Sequence, residues 1–257
     1  MPLRRRTRRI LLGVGALPIT LAAVIAVEVQ LARRGPDLDD VVLDHDGRVG
    51  GDGEALRMVW LGDSTAAGVG ASGADQAVPR RVARGLNRPV EVVSRAVSGA
   101  RIDDVVDEQI PGIAALRPDV VLVSIGANDV VHLTSKASFR SSYRDLVEAV
   151  PDGARLVLLG VPDMGAPSRY LQPLRGIAGW RGHVLDSVTR EIAREAGALY
   201  VDIAGETGPA MRADRARTFA VDRYHPSDAG YALWAQAVLE VVRPSLATRG
   251  DGGGDAD

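Results

Sequence analysis

Val120-Val121-Leu122-Val123-Ser124-Ile125 runs directly into Gly126-Ala127-Asn128-Asp129. The first six residues are apolar almost throughout and mostly β-branched. That is the pattern of a strand covered on both faces, as at the centre of a parallel sheet. Polar residues begin only where the strand should stop. Working outward, similar short runs stand at Arg57–Leu61, Val90–Ser94, Arg155–Leu159 and Leu199–Ile203. Helical patterns fill the intervals, at about 76–87, 102–116, 138–150, 180–196 and 227–242. In the second of these, Ile102, Val105, Val106, Gln109 and Ile110 recur at the helical spacing, with Asp103, Asp104, Asp107 and Glu108 opposite them. Strands alternating with helices predict an α/β protein, a flavodoxin-like three-layer α/β/α sandwich with about five parallel strands. In such folds ligands bind beyond the carboxyl ends of the strands.

The unusual polar residues stand at those ends. The first strand leads into Gly62-Asp63-Ser64-Thr65 and the second into Ala96-Val97-Ser98-Gly99-Ala100. The central strand leads into the Asn128 cluster, and Asp222-Arg223-Tyr224-His225-Pro226-Ser227 precedes the last helix. Singly, each is an ordinary cap or turn. Together they hold the parts of a covalent mechanism. A serine hydroxyl becomes a nucleophile when a neighbouring imidazole accepts its proton. The imidazole needs a carboxylate to fix its tautomer and stabilise its cation. Asp222 and His225, three apart in one loop, can supply both. The oxyanion formed on attack needs preset donors. The Ser64 and Gly99 N–H groups and the Asn128 amide are candidates. The chain has no cysteine, which excludes thiol nucleophiles and zinc–thiolate sites. Its four histidines are too scattered for a multi-histidine metal site.

In these four ordered blocks the sequence resembles the SGNH (GDSL-type) hydrolase superfamily, from about residue 57 to 242. The resemblance implies Ser64 as nucleophile, His225 as base, Asp222 as the third triad member, and Gly99 and Asn128 as oxyanion donors. It implies neither metal nor organic cofactor. Thr65 stands where the eponymous motif has leucine. The expected function is a serine esterase acting on an acyl ester of a lipid, glycan or small molecule. The alternatives are an acyltransferase using the same acyl-enzyme and a non-catalytic, membrane-tethered binding module. Asp63 is expected to organise the turn. His132 is expected at the surface, His45 and His183 in structural or solvent-facing positions, and Asp163 as a turn cap or pocket wall. Residues 164–179 are long enough for a flap, and Tyr231 and Trp234 read as core.

The total charge of −2 argues against a nucleic-acid partner, and its distribution sharpens that reading. Residues 1–34 hold seven arginines against Glu28 alone, a net +6, which leaves −8 for the remainder. Between the basic clusters, Ile10 to Val27 carries no charge. About 18 such residues as a helix cross a hydrocarbon core of about 30 Å. The segment reads as a single-pass membrane anchor, with the arginines cytoplasmic and the catalytic domain outside. A cleaved signal, followed by secretion, is the alternative. Residues 35–55 are expected to be a linker, 56–247 the hydrolase domain, and 248–257 a disordered tail.

Overall fold

The computed structural model describes residues 22–36, 38 and 43–247, and it places Val120–Ser124 in the middle of the sheet. The sheet has six strands: β1 (Gly47–Val49), β2 (Leu56–Gly62), β3 (Val90–Ser94), β4 (Val120–Ser124), β5 (Arg155–Leu159) and β6 (Leu199–Val201), in the order β1-β3-β2-β4-β5-β6. The five strands β2 to β6 are parallel, as the alternating pattern predicts. From β2 the chain steps to β3 on one side and then crosses to β4 on the other. The crevice between the ends of β2 and β4 is therefore the switch point in strand order.

Side chains alternate across a strand, and here both sets are buried. Met58, Trp60 and Leu122 face one core with Val82, Trp234 and Val238. Val59, Leu61 and Val123 face the other with Phe139, Tyr143 and Leu185. Helices α2 (Val78–Gly85) and α9 (Asp228–Ala247) cover the first face; α5 (Lys136–Ala149) and α6 (Leu174–Ala196) cover the second. This is the three-layer sandwich.

The structure corrects several boundaries. The expected linker over 35–55 is not all linker, because β1 pairs antiparallel with β3, Gly47 opposite Val92. A three-residue edge strand is too short to show alternation. Residues 37 and 39–42 lie outside the described residues. The helix expected over 102–116 is broken into a short turn, α3 (Ile102–Asp104), a π-helical stretch Val105–Gln109 and a 3-10 turn Ile113–Leu116. The wide turn brings Gln109 round to the end of β2, where Gly62 N donates to Oε1 at 2.8 Å and Nε2 donates to Gly62 O at 2.9 Å. The expected flap over 164–179 is loop only as far as Pro173, where α6 begins. Three helices escaped the sequence reading, α4 (Ala127–Val131), α7 (Ile203–Ala213) and α8 (Arg215–Thr218). Gly205, Gly208 and Pro209 in α7 are poor helix formers, and tertiary packing overrides them.

At the amino end, residues 22–33 form a helix, α1. Most of the expected membrane segment, residues 10–21, lies outside the described residues, as do the basic residues before it and the tail 248–257. Among the described residues no helix is long and apolar enough to cross a membrane.

Candidate active site

The nucleophile turn begins with a forced glycine. Gly62 ends β2 at φ +139°, and a Cβ there would lie 1.9 Å from the carbonyl oxygen of Ser124. Only glycine lets β2 leave the sheet this close to β4. Asp63 then turns inward, as expected, and its Oδ1 accepts from Thr65 N at 2.9 Å and Thr65 Oγ1 at 2.7 Å. Thr65 Oγ1 also lies 2.8 Å from Ser124 Oγ. Burial pushes the Asp63 carboxyl up from its ordinary range, against the opposing pull of the Thr65 hydrogen bonds. These contacts fix the turn that carries Ser64.

Ser64, His225 and Asp222 form one hydrogen-bonded chain. Ser64 Oγ lies 3.0 Å from His225 Nε2, and His225 Nδ1 lies 2.6 Å from Asp222 Oδ2. The second carboxylate oxygen accepts the amides of Tyr224 at 3.0 Å and His225 at 3.1 Å. Burial works to raise the Asp222 pKa, but the His225 ring and these amides outweigh it and hold the carboxyl below its ordinary value. The carboxylate therefore stays charged and keeps Nδ1 protonated, which leaves Nε2 free to accept the Ser64 proton.

The three expected oxyanion donors follow the carboxyl ends of three adjacent strands, Ser64 after β2, Gly99 after β3 and Asn128 after β4. Gly99 takes φ +87° in the turn after β3, a backbone that favours glycine. Among the described residues the amides of Ser64 and Gly99 donate to no acceptor. Asn128 lies in α4 (Ala127–Val131), directly after β4. Its Nδ2 donates to the Ala100 carbonyl at 3.0 Å, which ties α4 to the turn that carries Gly99. Beneath it Asp129 is fully enclosed, Oδ2 accepting from Ile102 N at 3.1 Å, and burial raises its pKa to about 6.

The remaining candidates separate cleanly. His132 is exposed at the end of α4, and His183 is exposed on α6. His45 is buried, its Nε2 2.9 Å from the Ala67 carbonyl, and burial lowers its pKa. Asp163 plays both suggested parts: Oδ1 accepts Gly165 N at 2.9 Å, Oδ2 pairs with Arg212, and the residue walls the pocket. Tyr231 is core, its hydroxyl donating to the Val69 carbonyl at 2.7 Å. Trp234 is core too, yet it also borders the pocket.

That pocket holds about 30 Å³ of free space beside Ser64 and His225, walled by Met164, Ala166, Thr207, Met211, Phe219 and Trp234. Its walls from α7 and from Phe219 just past α8 were not legible as site residues, because single apolar residues in or beside helices read as core. Nor was the aromatic support of the base. Tyr224 meets the His225 ring edge-on at 5.0 Å, and Tyr170 meets Tyr224 at 5.7 Å. Arg169 was also missed. Its Nε donates to the Ala32 carbonyl at 2.9 Å and its Nη1 to the Pro36 carbonyl at 2.6 Å, with the Asp222 carbonyl at 3.4 Å.

The profile of the GDSL-like Lipase/Acylhydrolase family matches residues 60–233, more than half of the chain and all four blocks. The chain belongs to that family. A GDSL-like esterase of Mycobacterium tuberculosis is 30% identical over 204 residues, 76% of this chain and 64% of that protein. The chain thus spans less than two thirds of that relative. An acetylxylan esterase of Geobacillus stearothermophilus is 26% identical over 163 residues, 60% of this chain and 72% of that protein. Among solved structures, an alpha/beta hydrolase enzyme from the metagenome of Lake Arreo, Spain, superposes with a TM-score of 0.60 at 23% identity, covering 73% of this chain and 95% of that one. A variant of a Geobacillus stearothermophilus acetyl xylan esterase gives 0.59 at 24% identity, covering 73% and 94%. These likenesses fix the fold, and the family's chemistry is carboxylic ester hydrolysis.

Proposed function

We propose that this GDSL-like chain is a serine esterase that removes a short acyl group, acetyl above all, from an alcohol or sugar hydroxyl. The observation that carries this reading is the Ser64–His225–Asp222 chain beside a pocket of about 30 Å³. So small a recess beside the nucleophile favours a two-carbon acyl group over a long chain. The name of the Geobacillus relative, an acetylxylan esterase, agrees with an acetyl ester on a glycan.

Attack by Ser64 Oγ on the acyl carbonyl forms the C–O bond as His225 Nε2 takes the hydroxyl proton. The Asp222 carboxylate stabilises the resulting imidazolium. Negative charge on the carbonyl oxygen is met by the Ser64 and Gly99 amides and Asn128 Nδ2. Collapse expels the alcohol oxygen, which receives the proton from His225, and leaves the acyl group on Ser64. Water repeats the sequence, giving the free acid and serine. Residues 1–21 extend the proposal to location: an uncharged segment after five arginines supports a tether with the domain outside the cell.

A series of aryl esters from acetate to octanoate tests the acyl assignment. We expect kcat/KM to be highest with acetate and to fall steeply beyond butyrate. Equal or better turnover of octanoate overturns the short-acyl reading.

A further inference from the structure

Among the described residues, ten large apolar side chains are exposed, and they are not scattered. Seven sit on connections at the carboxyl edge of the sheet, around the mouth of the site. Val97 follows β3, Val131 and Leu133 end α4, Leu171 precedes α6, Ile177 and Trp180 open it, and Val221 adjoins Asp222. The other three, Val24, Val27 and Leu31, lie on α1. The turns at the opposite edge of the sheet contribute none of the ten. Single exposed apolar residues are ordinary on any surface; their confinement to one face is not.

Helix α1 supplies an independent sign. Val24, Val27 and Leu31 fall on one helical face, and that face points away from the domain. Glu28, the one charged residue between Arg9 and Arg33, is instead turned inward, buried, and accepts from Leu174 N at 2.8 Å. The inward face is apolar as well, with Ala32 buried and Ile25 and Val29 half-buried beside Glu28. Helix α1 is thus apolar on both faces, whereas a surface helix in water turns a polar face outward. An outward apolar stripe fits an apolar medium. The helix lies against the rim of the site, through Glu28 on the first residue of α6 and through Arg169 on Ala32 and Pro36. Exposed cations, Arg33, Arg34 and Arg223, border the same face, which suits an anionic headgroup layer. In sequence, the run that leads into α1 is uncharged back to Ile10.

We propose that the active-site face is a docking surface for an anionic phospholipid bilayer. The outward stripe of α1 and the apolar rim at Leu133, Leu171, Ile177 and Trp180 enter the interface, and the mouth of the pocket opens onto it. The substrate is then an acyl ester presented at the membrane surface. This inference rests on the membrane-tether reading above, and it goes further: a tethered domain free in water would not bury its rim.

Trp180 makes the test possible, because Trp60 and Trp234 are enclosed in the core while Trp180 is 67% exposed. The full chain is mixed with vesicles of phosphatidylethanolamine and phosphatidylglycerol carrying a brominated acyl chain. Flotation reads the tether, and quenching of tryptophan emission reads docking. The expected result is flotation with a large loss of emission that is absent in Trp180→Phe. A Leu133→Asp/Ile177→Asp variant should still float and still cleave soluble aryl acetate, but lose most of that quenching. Flotation with Trp180 unquenched overturns docking and leaves the tether standing. Failure to float, without quenching, overturns both. Undiminished quenching in the double variant overturns the assignment of the rim. Shielding of Trp180 from iodide without lipid, in a chain that sediments as a dimer, overturns it in favour of a second copy.

Discussion

The two sides of the pocket are held by different means. On the β2–β4 side the backbone does the positioning: Gly62 fits only without a side chain, and Asp63 N donates to the Ser124 carbonyl at 3.0 Å. Ser64 and Asn128 ride on adjacent central strands and cannot shift without breaking the sheet. Across the pocket, α1 is joined to residues 160–173 through side chains, and residues 160–173 meet the loop of Asp222 through side chains and one main-chain bond, Arg169 N to the Arg223 carbonyl at 3.2 Å. One guanidinium, that of Arg169, holds the carbonyls of Ala32 on α1 and of Pro36 just after it, and approaches that of Asp222. The nucleophile and Asn128 are thus wired into the sheet, while the attachment of α1 depends on individual side chains. The loop of the base rests on side chains together with a few main-chain bonds, such as Ala220 N to the His225 carbonyl at 2.8 Å. Specificity and attachment can change on that second side without disturbing the first.

The largest effect should come from the sheet side. Ser64→Ala is expected to lower kcat/KM on aryl acetate by about 10⁴-fold or more, with Tm unchanged, because a methyl-sized side chain fits the same turn. Residual turnover near wild type would falsify the role of Ser64. Next, Asn128→Ala should cost about 10²- to 10³-fold, mostly in kcat, since the lost donor serves the oxyanion more than the bound ester. A change confined to KM would place Asn128 in substrate binding instead.

The same division explains what the sequence disclosed. Residues on the sheet side were legible because each is demanded locally: apolar runs for strands, glycine at 62 and 99, polar residues packed just after strand ends. Asp222 and His225 were legible because three residues of spacing in one loop bring base and carboxylate together. The far wall was not. Arg169 reaches carbonyls 137 and 133 residues away in the chain, and no local pattern marks such a contact. Gln109 read as part of an apolar helical face; its buried amide on Gly62 depends on a π turn that the helical period conceals. Gly205, Gly208 and Pro209 hid α7, and with it Thr207 and Met211 of the pocket.

A smaller effect separates stability from catalysis beneath the oxyanion donor. Asp129 has its pKa raised to about 6 by burial, with the charges of Asp103 and Asp63 adding to the rise. The folded state holds this proton more tightly than the unfolded chain does. The protonated carboxyl is therefore well accommodated at acid pH, and stability is lost as pH rises through about 6. Asp129→Asn keeps an acceptor for Ile102 N and removes the charge. It should raise stability at about pH 8 by up to about 3 kcal/mol, and leave it nearly unchanged at about pH 4. Urea melts at the two pH values read this directly. A variant no more stable than wild type at the higher pH would show that the enclosed carboxylate is not the source of the cost.

The smallest expected effect probes the side-chain-held wall most sharply. Arg169→Ala removes donors to the Ala32 and Pro36 carbonyls and the approach to Asp222, while leaving Ser64, Asn128 and the sheet untouched. Loss of one anchoring side chain near the Asp222–His225 loop should lower kcat by roughly tenfold, about 1.4 kcal/mol. The fall in kcat should be accompanied by easier proteolysis near residues 34–36, since Pro36 loses its donor. Arg169→Lys should restore only part of both, because an ammonium lacks the planar fork that spans several carbonyls. If Arg169→Ala frees residues 34–36 but leaves kcat intact, the loop of the base is as rigid as the nucleophile turn. The contrast between the two sides would then hold for attachment alone and not for chemistry.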